Sequence, residues 1–317
     1  MFKLLTKSVL LFTIVFVTLY IVLLQYPYIP PQNTYLLGAK IKHTRLDTVS
    51  SPRIILIGGS NLAFGIESKT IQDSLGINII NMGLHGGYGT EYICNEIIYR
   101  LRKNDIVVFN FEYLLHDGNT EIKHETQQLY PESRFFEEIN LWRKVKNEYD
   151  YIISICTKNL IKIQQVIRKQ IPNQDINTNP EDTNLVFRYS GFNQYGDLIS
   201  HLNKPSVELQ YDIYQPDGVD YDKYISVFND FAKKYESKGA KTYFMFVTYP
   251  ESVFQQHEKI IEKYYEKLKK KAEFPILNTP QSMVLPDSCF FDSYYHLNKI
   301  GRQKRTELMV KFLKIIN

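Results

Sequence analysis

Three residues in this chain of 317 have the types that nucleophilic catalysis needs. Ser60 follows Gly58-Gly59 at the end of a short apolar run, Arg53-Ile-Ile-Leu-Ile57. Far along the chain, Asp292-Ser-Tyr-Tyr-His296 sets a carboxylate four residues before an imidazole. A serine becomes a nucleophile when a base within hydrogen-bond reach takes its proton and an acid orients that base. Ser60, His296 and Asp292 supply base, acid and nucleophile, and Asp287 is the only rival carboxylate in that loop. Each residue also has a plain structural reading. Ser60 suits a helix N-cap, His296 a helix start, and Asp292 a turn.

The elements around these residues must bring them together. Residues 54–57 read as a buried strand, being apolar and β-branched throughout. Gly58-Gly59 lets the backbone turn sharply and lets a ligand come close. Residues 68–75 read as a helix, 77–82 as a second strand closed by Gly83, 90–103 as an amphipathic helix, and 105–111 as a third strand. Continuous apolar strands separated by helices predict a parallel sheet covered on both faces. The pattern resumes with a helix at 221–238, a strand at 242–248, a charged helix at 258–271, a short strand at 274–277 and a closing helix at 304–316. In a doubly wound sheet of this kind, loops after the strands rise at one edge, which would bring Asp292 and His296 to Ser60. Between them, residues 114–217 break the pattern. They read as an insertion over the site, helical at 135–169 with a polar loop at 173–184, serving either as a lid or as simple packing.

The N-terminal stretch, residues 8–28, carries no charge and is long enough to cross a bilayer, which takes about 20 residues. Lys3 and Lys7 precede it, and Tyr26 and Tyr28 sit at its far end. The positive-inside rule then predicts residues 1–7 in the cytoplasm and the rest outside. A cleaved signal peptide is the alternative, but prolines rather than a small-x-small site follow the apolar run. Residues 29–51 read as a tether, so the globular domain is expected to begin near Pro52.

Composition removes several classes. A net charge of +4 without an arginine-rich run argues against nucleic acid. Cys94, Cys156 and Cys289 have no metal-type spacing. The Gly58 turn lacks the glycines of a dinucleotide fingerprint and the lysine of a P-loop. Leu62 stands where a Gly-x-Ser-x-Gly elbow would need glycine. His85-Gly86-Gly87 is similar to an oxyanion loop but also reads as an ordinary turn.

Four blocks together resemble the SGNH/GDSL-type hydrolases, specifically the membrane-anchored, extracytoplasmic branch associated with O-acetylation of surface polysaccharides. They are Ile57-Gly-Gly-Ser60, Asn81-Met-Gly83-Leu-His-Gly-Gly, Val108-Phe-Asn110-Phe-Glu112, and Asp292 through His296-Leu-Asn298 with Gly301. The resemblance spans residue 54 to about residue 313, without the insertion. Three departures stand out. Gly59 replaces the usual aspartate, Asp292 and His296 are one residue further apart than usual, and the third block lacks its Gly-x-Asn-Asp signature.

The resemblance implies a three-layer α/β fold, similar to flavodoxin, that needs no cofactor and no metal. It implies Ser60 as nucleophile, His296 as base and Asp292 as orienting acid. The oxyanion would be held by the Ser60 and Gly83 N–H groups and by Asn110; Glu112 is the other candidate for that last position, although a carboxylate donates only when protonated. Asn61, Glu112 and His85 are expected to meet substrate. The activity expected is transfer or hydrolysis of an acyl, most simply acetyl, ester on a cell-surface polysaccharide or other acylated glycan. A membrane-bound O-acyltransferase is the implied partner, and the membrane the implied location. The alternative is a subunit that keeps the fold to bind or assemble glycan without turnover.

Overall fold

The computed structural model describes residues 2–25, 33–136, 186–209 and 216–316, with helical positions at 142, 145, 146, 149, 153 and 157. The chain forms two compact units. One comprises residues 33–138 and 184–317 and holds the sheet; the other comprises residues 1–32 and 139–183.

In the first unit, β1 (Arg53–Ile57), β2 (Asn78–Asn81), β3 (Ile106–Phe109) and β4 (Lys241–Phe244) pair in parallel in the order β2-β1-β3-β4. Phe244 also bridges Ile276 in parallel, adding a fifth position beyond β4. That position never lengthens into the strand expected at 274–277, because Pro275 has no N–H to give to a ladder. It offers only its carbonyl, to Phe244 N at 2.9 Å.

Side chains alternate across a strand, and here the alternation builds two cores. Ile55, Ile57, Ile80, Val107 and Phe109 face one. Ile54, Leu56, Ile79, Ile106 and Val108 face the other. The first is covered by α2 (Gly38–Thr48), α5 (Thr90–Asn95), α7 (Tyr221–Glu236) and α8 (Glu251–Lys271), through residues such as Leu46, Ile93, Phe228 and Ile261. The second is covered by α4 (Ser68–Leu75) and α9 (Lys299–Leu313), through Ile71, Leu75, Met309 and Leu313. The strand order is that of a doubly wound sheet, whose ligands lie beyond the carboxyl ends where β1 and β3 diverge. The α/β architecture with a mostly parallel, helix-flanked sheet is therefore as expected.

Several boundaries differ from the sequence reading. Residues 33–51 are not a tether. A helical turn at Tyr35–Leu37 leads into α2, and Tyr35, Leu36, Ala39 and Leu46 are buried. The charges that made this segment look solvated are satisfied internally. Lys42 is buried and donates to the carbonyls of Asn81 (3.1 Å) and Gly196 (2.6 Å), and His43 meets Glu96 at 3.2 Å. Burial brings the Lys42 ammonium down to about 7, with Asp197 and Glu96 opposing the shift. The insertion is likewise smaller than residues 114–217. Residues up to 138 and from 184 belong with the sheet, and the former include α6 (Thr120–Leu129). Leu198 N–H donates to the Ala63 carbonyl at 2.8 Å, and buried Asp197 accepts from Ser68 N (2.9 Å) and from Asn81 Nδ2 (2.8 Å). Pro131–Phe136 forms a tight helical turn. Most of the helix expected at 135–169, and the loop expected at 173–184, lie outside the described residues.

In the second unit, α1 (Phe2–Gln25) runs for 24 residues with Leu10, Phe12 and Phe16 exposed. Trp142 and Tyr149 are exposed as well. Among the described residues no helix is long and apolar enough to cross a membrane. The span expected at 8–28 runs past the described end of α1 at Gln25.

Arg53 opens β1 with no exposure and pairs with Asp105, which is equally buried. It also reaches the carbonyls of Leu46 and Arg100, so it ties the end of α2 to the start of β1 and β3. Removing one member of a buried pair strands the other charge, at a cost of about 3–5 kcal/mol. Asp105→Ala should lose about that much in urea denaturation. Asp47→Ala, which removes the half-exposed partner of Arg100, should lose at most about 1 kcal/mol. Similar losses for both would contradict this account.

Candidate active site

The turn after β1 is built on close approach. A side chain on Gly58 would begin 2.1 Å from the Asn110 carbonyl, and one on Gly59 would begin 2.3 Å from the Glu112 carboxylate. Ser60 is the first residue of α3 (Ser60–Gly65), with Gly59 at the N-cap and no side-chain cap bond. Its hydroxyl is therefore not a cap. It points instead at His296 Nε2, 2.8 Å away.

His296 stands on a short hairpin. β5 (Phe290–Ser293) and β6 (His296–Leu297) are antiparallel, with Ser293 opposite His296 and Tyr294-Tyr295 at the turn. The Ser293 hydroxyl accepts from His296 N at 3.2 Å. This hairpin absorbs the extra residue between acid and base, and Asp292 Oδ1 lies 2.7 Å from His296 Nδ1. Phe64 of α3 stacks flat on the imidazole, with centroids 3.8 Å apart and planes 7° apart. With Nδ1–H donating to Asp292, Nε2 is left to accept from the serine hydroxyl. The rival carboxylate is used elsewhere, since Asp287 accepts from Ser252 N at 3.0 Å, at the start of α8. Asn298 caps α9 by accepting from Ile300 N and Gly301 N, both at 3.1 Å.

The expected oxyanion donors fare differently. Among the described residues nothing accepts from the Ser60 N–H, as befits the first turn of a helix. Gly83 N–H donates to Asn81 Oδ1 at 3.1 Å. Asn110 is a correction to the sequence reading. It is fully buried, its amide donates to the carbonyls of Met245 (2.7 Å) and Phe246 (3.4 Å), and its Oδ1 accepts from Arg305. Its side chain spans from β3 to the segment after β4, in place of ladder bonds, and has no donor left for substrate. Asn61 is a second correction. Also fully buried, it donates to the Asn110 carbonyl at 3.1 Å and accepts from Arg305 at 2.6 Å. Glu112 reaches the cavity wall, but its carboxylate accepts from Gly59 N (3.2 Å) and Asn61 N (3.1 Å).

Arg305 is the residue that sequence reasoning missed. It lies on α9 with no exposure and donates to the Asn61 carbonyl at 2.7 Å. Burial draws its guanidinium down to about 9, with Glu112 opposing. It is still protonated at neutral pH. Ser60, His296, His85, His116 and Glu112 open onto one cavity of about 340 Å³. Its apolar wall includes Tyr35, Ile93, Phe111, Leu115 and Phe187. Polar groups placed among apolar walls in this way suit a small ligand held in one orientation.

His201 supports the hairpin from behind. Its Nε2 lies 2.9 Å from the Leu297 carbonyl and so carries the proton. Burial brings His201 down to about 4. Its ordinary value is about 6.5, so the folded value is the lower one. Above pH 6.5 both states are neutral and the stability is whole. Below it the unfolded chain binds a proton that the folded one refuses, and stability falls towards pH 4, by roughly 3 kcal/mol at about 1.4 kcal/mol per unit. Melting temperatures from pH 7 to pH 4 should drop less in His201→Gln than in the native protein. An equal drop would refute the assignment.

No protein-family model matches this chain, and no curated protein matches it in sequence. What the site can do rests on its geometry and on the four sequence blocks.

Proposed function

We propose that this protein transfers or hydrolyses acyl esters through an acyl-enzyme on Ser60. The observation that carries this reading is the unbroken hydrogen-bond chain from Ser60 Oγ through His296 to Asp292, opening onto the cavity. Ser60 Oγ attacks the ester carbonyl carbon while His296 Nε2 takes the hydroxyl proton. The carbon–oxygen bond to the leaving alcohol breaks, and that oxygen takes the proton from Nε2. Water or a second hydroxyl then gives its proton to Nε2 and attacks the acyl carbon. The bond to Ser60 breaks, and Oγ regains a proton from Nε2. Asp292 holds the ring and stabilises the imidazolium in both halves.

Acylated glycan of the cell surface is the substrate class favoured by the family resemblance. Acetyl is the simplest acyl group, and a polytopic acyltransferase would be its source for transfer. The uncharged run at 8–28 supports a single membrane anchor with the sheet domain outside. Protease added to intact spheroplasts should digest residues 33–317; protection of that region would refute the orientation.

The second reading is a glycan-binding or assembly subunit without turnover. It is favoured by the engagement of Gly83 N–H and the Asn110 amide within the fold. Full-length protein should release acetate from a chromogenic acetyl ester, and a fluorophosphonate should label the Ser60 peptide. Ser60→Ala should abolish both at a stability cost near 1 kcal/mol, the worth of one hydrogen bond. Asp292→Asn should lower kcat by about 10⁴-fold, as expected for a triad acid. Turnover by the native protein no faster than by Ser60→Ala would favour the second reading.

A further inference from the structure

Two turns outside the triad face the same cavity. His85-Gly86-Gly87 and His116-Asp117-Gly118 are both His-x-Gly segments. In each, the histidine Nδ1 accepts the backbone N–H two residues on, from Gly87 at 2.9 Å and from Gly118 at 3.0 Å. A ring nitrogen that accepts carries no proton, so the neutral ring has its N–H at Nε2. Among the described residues nothing accepts from either Nε2. Both rings therefore present a donor with no partner among the described residues.

The two turns are joined by their backbones. Thr90 N–H donates to the His116 carbonyl at 3.0 Å, and Asn119 N–H to the Gly87 carbonyl at 2.6 Å. Gly118 has φ +94°, and a side chain there would begin 2.2 Å from the Tyr88 carbonyl. Only glycine allows this approach. The rings are thus fixed by backbone, as preorganised donors need to be.

Both rings stay neutral near pH 7. Burial lowers His85, with His296 adding to the shift and Glu112 opposing it. Burial also lowers His116, with Glu112 opposing. Of the two, His85 stands on the turn beside the serine: it follows Gly83 by two residues, and a side chain on Gly83 would begin 2.6 Å from the Gly59 carbonyl.

Acyl chemistry needs donors aimed at the oxygen that becomes negative. Gly83 N–H and the Asn110 amide are occupied within the fold, which leaves the Ser60 N–H alone. We propose that His85, through Nε2–H, is the second oxyanion donor of this site, in place of an asparagine amide. The proposal rests on Ser60 being the nucleophile. A neutral imidazole suits the task, because it can donate without competing with His296 for the serine proton.

The test uses full-length protein and a chromogenic acetyl ester. His85→Ala should lower kcat by about 10²–10³-fold, the usual cost of one oxyanion donor, with KM little changed. His85→Gln, whose amide can donate, should recover part of the loss. In ¹⁵N-labelled native protein, His85 should show the Nε2–H tautomer. A kcat for His85→Ala close to native, with Ser60→Ala inactive, would overturn the proposal and leave the nucleophile standing. An Nδ1–H tautomer would overturn it even if His85→Ala failed to fold. Should the native protein lack turnover, binding of phenylboronic acid, which adds to a reactive serine as a tetrahedral anion, takes its place. Weaker binding by His85→Ala then supports the proposal. Equal binding overturns the proposal alone, and no binding by the native protein overturns both claims.

Discussion

The structure turns on one residue, Asn61, whose backbone is held at both its N–H and its carbonyl. The Asn61 N–H donates to Glu112 and the Asn61 carbonyl accepts from Arg305. Glu112 also takes the Gly59 N–H. The N–H groups on either side of Ser60 are therefore fixed and its own is left over. A buried guanidinium without a partner would be very costly, and so would a lone carboxylate. Here the two oppose one another across a single turn, and the Asn61 and Asn110 side chains each accept from the guanidinium. The position of the serine hydroxyl is a product of this arrangement rather than of the short helix it begins.

The sheet places that turn. β1 ends at Ile57, just before the Gly58-Gly59-Ser60 turn, and β3 ends at Phe109, just before Asn110 and Glu112, so the two segments leave the sheet side by side where the order reverses. The hairpin carrying Asp292 and His296 arrives from beyond the sheet and is pinned by Phe64 against one ring face. The base is thereby attached to the nucleophile's own helix. The turns of His85 and His116 follow β2 and β3 and wall the cavity. The segments after three strands and the hairpin thus meet at one place, as doubly wound sheets allow.

Much of this was legible in the chain. The strands announced themselves as β-branched apolar runs, and Gly58-Gly59-Ser60 as a strand-to-helix turn. The types of Asp292 and His296 were readable, but the two-tyrosine hairpin that reconciles their spacing was not, because Tyr-Tyr is no standard turn signal. Asn110 and Glu112 could not be told apart. Sequence places both just past β3, but not which of their polar atoms a neighbouring strand will use. Arg305 follows Gln303 and Lys304, polar neighbours that carry no sign of its burial; only the distant Glu112 and Asn61 explain it. Residues 33–51 misled for the same reason. Lys42 and His43 look like solvent-facing charges until the carbonyls and the carboxylate they meet are known.

The separation between Arg305 and Asn61 is 244 residues, and between His296 and Ser60 it is 236. Contacts this distant along the chain are expensive in loop-closure entropy and form only once most of the domain has condensed. During synthesis, a chain that already carries β1 to β4 lacks both the base and the cation that fixes the serine. The nucleophile meets its base only once the C-terminal segment that carries His296 has been made. A partly folded domain therefore holds an ordinary, unreactive alcohol at position 60.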